Sequence, residues 1–170
     1  MNITEAYREQ NRLLHEQNAS YGISGAKWRE FARTLSDWGR KAILDYGCGK
    51  CTLAQSLGPA YRVTNYDPAI PEYAQEPQPH DIVICGDVME HVEPECVDSV
   101  LKDIRRLTKQ KALFVIALAP SGKTLPDGRN THISINPPEW WRERLKEAGF
   151  AIEKQKEMQP QEGTTWFIVH

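Results

Sequence analysis

The stretch Ala42-Ile43-Leu44-Asp45-Tyr46-Gly47-Cys48-Gly49-Lys50-Cys51-Thr52-Leu53-Ala54-Gln55-Ser56-Leu57 decides the fold. An apolar run ends on a carboxylate, a glycine-rich turn follows, and an apolar-periodic segment begins at once. That order reads as strand, tight loop, helix. Gly47 and Gly49 let the backbone approach a ligand that a Cβ would push away, and a starting helix offers unpaired N–H groups. Asp45 stands at the strand end, placed to accept hydrogen bonds from donors on the same ligand. A nucleotide-like molecule suits such a turn.

Downstream, Tyr61-Arg62-Val63-Thr64-Asn65-Tyr66-Asp67 alternates as a second strand and again ends on an acid. Asp67 follows Gly47 by about 20 positions, the offset at which nucleotide-binding βαβ units place a carboxylate for the two ribose hydroxyls. Residues 68–80 carry Pro68, Pro71, Pro77 and Pro79 and no helical period. An extended return of about 3.1 Å per residue can run back along a strand of roughly 17–20 Å without a helix, leaving part of one sheet face bare. Asp81 to Cys85 reads as a buried parallel strand, followed by Gly86-Asp87-Val88-Met89-Glu90-His91-Val92. Pro94 opens a helix with Val97, Leu101, Ile104 and Leu107 on one face, and Ala112 to Ala119 is an apolar strand. Ser121 to Ile135 is a polar connection of a length usually reserved for function. Pro138 begins a helix through Trp141 and Leu145, stopped by Gly149. Phe150 to Glu153 and Thr165 to Val169 form a closing strand pair, parted by Pro160 and Gly163.

Upstream, residues 4–19 predict an amphipathic helix on Ala6, Leu13 and Leu14. Ala26 to Trp38 predicts a second, with Trp28, Phe31, Leu35 and Trp38 as core. Tyr21 and Lys27 between them are candidates for a lid that touches substrate. Residues 1–40 are thus expected to form a helical cap and 41–170 the main domain. With 170 residues and a net charge of −2, the chain has room for a real core and no field that would draw nucleic acid or an anionic membrane. No apolar run reaches the roughly 20 residues of a membrane helix, the N-terminus is unlike a signal peptide, and four scattered cysteines make no disulfide framework. The expectation is a soluble cytoplasmic protein.

At this point the sequence resembles the class I S-adenosylmethionine-dependent methyltransferases. The likeness rests on Leu44-Asp45-Tyr46-Gly47-Cys48-Gly49, then Asp67, Asp81-Ile82-Val83 and Asp87-Val88-Met89-Glu90-His91-Val92, in the family's order. The segment from Lys123 to His132, with Pro138-Glu139-Trp140-Trp141, is similar to a small subgroup found in bacterial and phage genomes. The resemblance implies a doubly wound α/β sheet, mostly parallel with an antiparallel C-terminal strand. It implies S-adenosylmethionine as cofactor and S-adenosylhomocysteine as product. Asp45, Gly47 and Gly49 would line the methionine end, Asp67 would take the ribose, and Asp87 would lie beside adenine or sulfonium. Cys48, Pro68 and Val88 would stand among them. Two departures are visible: Cys51 replaces an expected glycine, and the span from Asp67 to Asp81 is too short for the usual helix and third strand. A smaller sheet follows, with Tyr61–Tyr66 near an edge and the N-terminal helices or a second copy, as in a homodimer, covering the bare face.

Transfer of a methyl group from a sulfonium is an in-line displacement that needs alignment and no metal, and a hydroxyl nucleophile gains from a general base. His91 and His132 are the candidate bases, each next to the carboxyl ends of the strands. Lys123, Arg129 and Asn130 in the polar loop are candidates for contact with a small polar acceptor, Arg129 through a carboxylate or phosphate. Other signals are weaker. Cys48-x-x-Cys51 has dithiol spacing but falls inside the glycine loop, and Cys85, His91 and Cys96 are too irregular for zinc. Asn136-Pro137-Pro138-Glu139 resembles a base-methylating motif but comes two elements late and lacks its aromatic, so a helix start explains it better. Nucleic acid is the alternative acceptor. A non-catalytic cofactor-binding module, or a subunit activated by a partner, is the alternative of another class.

Overall fold

Strands β1 (Ile43–Tyr46), β2 (Val63–Tyr66), β3 (His80–Gly86), β4 (Thr108–Ala117), β5 (Ile152–Gln155) and β6 (Thr164–Val169) form one sheet in the order β2-β1-β3-β4-β6-β5. The computed structural model describes residues 1–156 and 163–170; Pro160, assigned to the turn between the last two strands, lies outside the described residues. The first four strands run parallel, and β6 lies antiparallel between β4 and β5. This is the mixed, mostly parallel sheet expected, and β2 takes the edge because the proline-rich return brings the chain from β2 directly to β3. That return contains only a 3₁₀ turn at Pro71–Tyr73.

Period-2 alternation sends the central side chains to two cores. Leu44, Tyr46, Val83, Cys85 and Phe114 pack on one face beneath α4 (Val97–Leu107) and α5 (Pro138–Glu147). Ile43, Ile82, Ile84, Leu113 and Val115 pack on the other, with Ala32 of α2 (Arg29–Leu35) and Leu53 of α3 (Thr52–Leu57). An N-terminal helix, α2, is one cover for the sheet. A third cluster joins Tyr7 and Leu14 of α1 (Glu5–Gln17) to Tyr21 and to Leu125 of the polar loop. The buried side of α1 is Tyr7, Asn11 and Leu14, at i, i+4 and i+7, and Ala6 is exposed.

The helix expected over 26–38 is shorter and in two parts, a 3₁₀ turn at Ser24–Trp28 and then α2. Asp37 and Trp38 take left-handed φ values of 51° and 55°, and the Trp38 amide bonds back to Arg33 O at 2.8 Å. This reversal throws the Trp38 ring outward, so the core position assigned to it is wrong. Trp38 is 62% exposed, with the Arg33 guanidinium 4.6 Å from its ring centroid. Trp28, Phe31 and Leu35 do pack against the sheet. Gly149 ends α5 as expected, at φ 92°, with Gly149 N bonded to Lys146 O and Phe150 N to Leu145 O. Among the described residues no helix is long and apolar enough to cross a membrane.

These placements predict opposite outcomes for two tryptophans. Trp141, fully buried under α4, should cost about 3–5 kcal/mol when replaced by alanine. Trp38→Ala should stay within about 0.5 kcal/mol of the parent. Equilibrium denaturation of both variants checks the pair, and equal losses would contradict the outward turn at residue 38.

Candidate functional site

The turn after β1 is held by its neighbours before any ligand arrives. Gly47 N and Cys48 N both donate to Tyr66 O, at 2.7 and 3.0 Å, tying the loop to the end of β2. The Asp67 carboxylate then accepts Gly49 N at 3.1 Å and Ala69 N at 3.0 Å. A Cβ on Gly47 would run into the methyls of Val88, and one on Gly49 would meet Gly22 O at 2.5 Å. Both glycines also have positive φ. Cys51 adopts φ 56° at the mouth of α3, which is why a glycine is the expected residue there.

Lys50 supplies a contact that the sequence reading overlooked. Its ammonium donates to His15 O, Asn18 O and Tyr21 O at 2.9, 3.0 and 3.1 Å. Its amide bonds to Gly22 O at 2.8 Å. One side chain thereby satisfies carbonyls at the end of α1 and clamps the following turn onto the glycine loop. Only the Lys50 position inside the motif hinted at such a role, and its three partners come from a segment with no motif of its own.

The result is a cleft of about 640 Å³ at the carboxyl edge of the sheet. Tyr21, Lys27, Asp45, Gly47, Cys48, Gly49, Asp67, Pro68, Asp87, Val88, His91, Lys123 and His132 all border it. Arg129 and Asn130 do not. They border a smaller hollow on the other side of His132. Arg129 is paired with Asp127 at 2.7 Å. Asn130 accepts the amides of Ser121 and His132 at 3.0 and 2.9 Å and donates to Ser121 O, so it shapes the loop that presents His132. His15 was also missed. Its ring lies 4.6 Å from that of Tyr21, and its Nε2 lies 4.0 Å from Asp67 Oδ2.

Burial sets the charge states. Asp45 is 5% exposed, its Oδ2 has no partner among the described residues, and desolvation with Asp67 nearby pushes its carboxyl up to about 7. Desolvation also raises Asp67, partly offset by His15 and the two amides it accepts. His15 is pushed down by burial, against the pull of Asp67. Asp87, strained at φ 58°, is raised by burial, with Ser24, Lys27 and His132 opposing. Burial drives the Cys48 thiol far up, so although its Sγ is 3.8 Å from that of Cys51, neither the pKa nor the setting suits a redox thiolate.

His91 and His132 stand edge to face, with ring centroids 4.7 Å apart. Nδ1 of His91 is 2.8 Å from Thr131 O, and Nδ1 of His132 is 2.6 Å from Ala119 O. A carbonyl can only accept, so each Nδ1 carries a proton, and in a neutral ring the lone pair is left on Nε2. Burial, then the neighbouring His132, lowers His91 to about 3. Beneath them Glu90 is fully buried with neither carboxylate oxygen in hydrogen-bond geometry. Burial pushes it up to about 8, against some relief from the backbone at Glu90 and Ala117.

The methyltransferase domain family matches residues 21–155. No curated protein matches the sequence. Among solved structures, the S-adenosylhomocysteine complex of DhpI superposes with a TM-score of 0.67 at 18% identity, over 99% of this chain and 98% of that one. The 1,6-didemethyltoxoflavin-N1-methyltransferase of Burkholderia thailandensis, bound to its substrate and S-adenosylhomocysteine, gives 0.65 at 18% identity, over 96% and 86%. Magnesium protoporphyrin IX methyltransferase of Synechocystis PCC 6803, with S-adenosylhomocysteine, gives 0.61 at 16%, over 94% and 92%. At these identities the likeness is one of fold.

Replacing Lys50 by methionine keeps the stem and removes the three donors. We expect Lys50→Met to weaken S-adenosylhomocysteine binding by about tenfold or more, since charge-assisted hydrogen bonds are worth roughly 1.5–3 kcal/mol. Calorimetric titration reads it, and unchanged affinity would show that the clamp does not organise the cleft.

Proposed function

The chain belongs to the methyltransferase domain family and draws its methyl group from S-adenosylmethionine; from that premise we propose that it methylates an oxygen of a small polar acceptor. The observation that carries this reading is His132, which borders the cleft with its Nδ1–H held by Ala119 O, leaving Nε2 as the nitrogen to take a proton. The acceptor hydroxyl donates to that nitrogen. As the oxygen attacks the methyl carbon, the C–S bond breaks, its electrons stay on sulfur, and the hydroxyl proton passes to Nε2. His91 orients rather than accepts, because a group held at about 3 does not retain a proton at neutral pH. Lys123, Lys27 and Tyr21 border the same cleft and supply polar contacts to the acceptor.

The cofactor lies across the glycine turn in this reading. Asp45 receives the cationic amino group of the methionine portion, and Asp67 the ribose hydroxyls, through lone pairs that Gly49 N and Ala69 N leave free. Asp87 and Val88 bound the reacting end, with Cys48 and Pro68 beside the nucleoside. Residues 1–40 serve as the cap on the domain spanning 41–170, α1 and the turn after it closing the cleft while α2 braces the sheet. A net charge of −2 favours a small acceptor over nucleic acid.

His132→Ala should lower turnover on hydroxyl acceptors by at least about 10²-fold while leaving S-adenosylhomocysteine affinity nearly unchanged. Full turnover in that variant would end its role as base. The raised carboxyl of Asp45 gives a second outcome. Because its folded value of about 7 exceeds the ordinary one, the ligand-free protein keeps this contribution to stability at low pH and loses it as pH rises through 7. A bound ammonium reverses that cost, so cofactor affinity should climb as pH is raised from about 5.5 to 7.5, with protons released below pH 7. Calorimetry in two buffers of different ionisation enthalpy reads the release, and a flat profile would remove Asp45 from the ammonium site.

A further inference from the structure

Glu90 poses a question that methyl transfer alone leaves open. An acid with no exposed surface and no partner in hydrogen-bond geometry among the described residues is costly, because water is excluded and only the backbone at Glu90 and Ala117 offsets part of its lost hydration. Such a group is tolerated where a proton or a cation completes it. Donor atoms of Glu90, His91 and His132 lie within 4.8 Å of one another. The two imidazoles are oriented as metal ligands: each donates its Nδ1–H to a backbone carbonyl, which leaves Nε2 as the nitrogen for an ion. That second bond fixes the ring and raises the basicity of the free nitrogen. Tyr21 Oη, 3.4 Å from His91 Nδ1, gives its own proton to Asn11 Oδ1 and so leaves this arrangement intact.

We propose that Glu90, His91 and His132 bind one divalent transition-metal ion at the acceptor end of the cleft. Two imidazoles and a carboxylate are the donor set of zinc sites with an open position and of related non-haem iron sites. Bonds of about 2.0–2.2 Å place tetrahedral ligands roughly 3.4 Å apart, so the cluster closes by about an ångström on loading. His132 sits on a loop and can supply that movement. Because His91 and His132 border the cleft, the open positions face it. The expectation of no metal, and the doubt raised by the spacing of Cys85, His91 and Cys96, looked along the chain. The set instead joins the turn after β3 to a loop far downstream, and both cysteines are buried elsewhere.

What the ion does there rests on the acceptor reading above; whether it binds does not. With the ion bound the His132 lone pair is occupied, so His132 acts as base only in the ion-free chain; an acceptor oxygen on the ion loses its proton more readily, and that proton goes to solvent. The oxygen then forms its bond to the methyl carbon as the C–S bond breaks and S-adenosylhomocysteine leaves with the electron pair.

The test separates binding from turnover. The full chain is stripped with a chelator, loaded with Zn²⁺ and freed of excess by gel filtration before metal analysis. The stripped chain is also titrated with Co²⁺, whose visible ligand-field absorption reports imidazole and carboxylate ligation. One ion per chain is expected, with affinity lowered at least about tenfold in Glu90→Gln and His132→Ala. His80→Ala, at the half-buried start of β3 and outside the cleft lining, should bind as the parent does. Calorimetry with S-adenosylhomocysteine confirms that each variant is folded; should His132→Ala fail, His132→Gln replaces it. A stripped parent that takes up no ion, or variants that bind like the parent, would overturn the site. An ion that binds while no hydroxyl acceptor is ever methylated would leave the site standing and refute the O-methylation reading instead.

Discussion

The carboxylate of Asp67 is the constraint on which the cleft depends. Buried at the end of β2, it accepts the Gly49 amide and so fixes the turn between β1 and α3 to the neighbouring strand. With the turn fixed, Lys50 has a defined position from which to collect three carbonyls, and the N-terminal turn comes to rest against Gly49. Each step is short-range and polar, in a place where an unpaired polar group would be penalised. The site is therefore largely built before the cofactor enters.

Two kinds of strain collect around this turn. Cys51 and Asp87 both hold left-handed backbone without being glycine, one at the mouth of α3 and the other at the end of β3. Asp45, Asp67 and Asp87, which border the cleft, and the fully buried Glu90 are all carboxyls raised by burial. A site whose burial raises several carboxyls is suited to receive positive charge. A sulfonium nucleoside with an ammonium group answers the first part of that demand. Glu90, fully buried next to His91 in sequence, does not itself border the cleft.

The reduced sheet follows from one proline-rich return. With β2 leading straight to β3, the sheet has no strand beyond β2 among the described residues, and that edge is formed by a strand of four residues. Short edges offer little template for unwanted pairing. α2 contributes Ala32, Phe31 and Leu35 to the core beside β1 and β3, so the N-terminal segment is as much a part of the body as of the cover.

By itself the sequence determined the strand–turn–helix at residues 42–57, the acid at 67, the edge position of β2 and the stop at Gly149. These depend on periodicity, on glycine's freedom and on proline's stiffness, which are local properties. The helix over 26–38 was half legible, because spacing reported that Trp28, Phe31 and Leu35 face inward but not that the backbone reverses at Asp37. Only the tertiary structure decided the partners of Lys50, the place of His15 beside Asp67, the withdrawal of Arg129 and Asn130 into their own loop, and the meeting of Glu90 and His91 with His132. Those contacts join segments far apart in the chain, and side-chain identity carries no record of which distant carbonyl or imidazole a folded backbone will bring within reach.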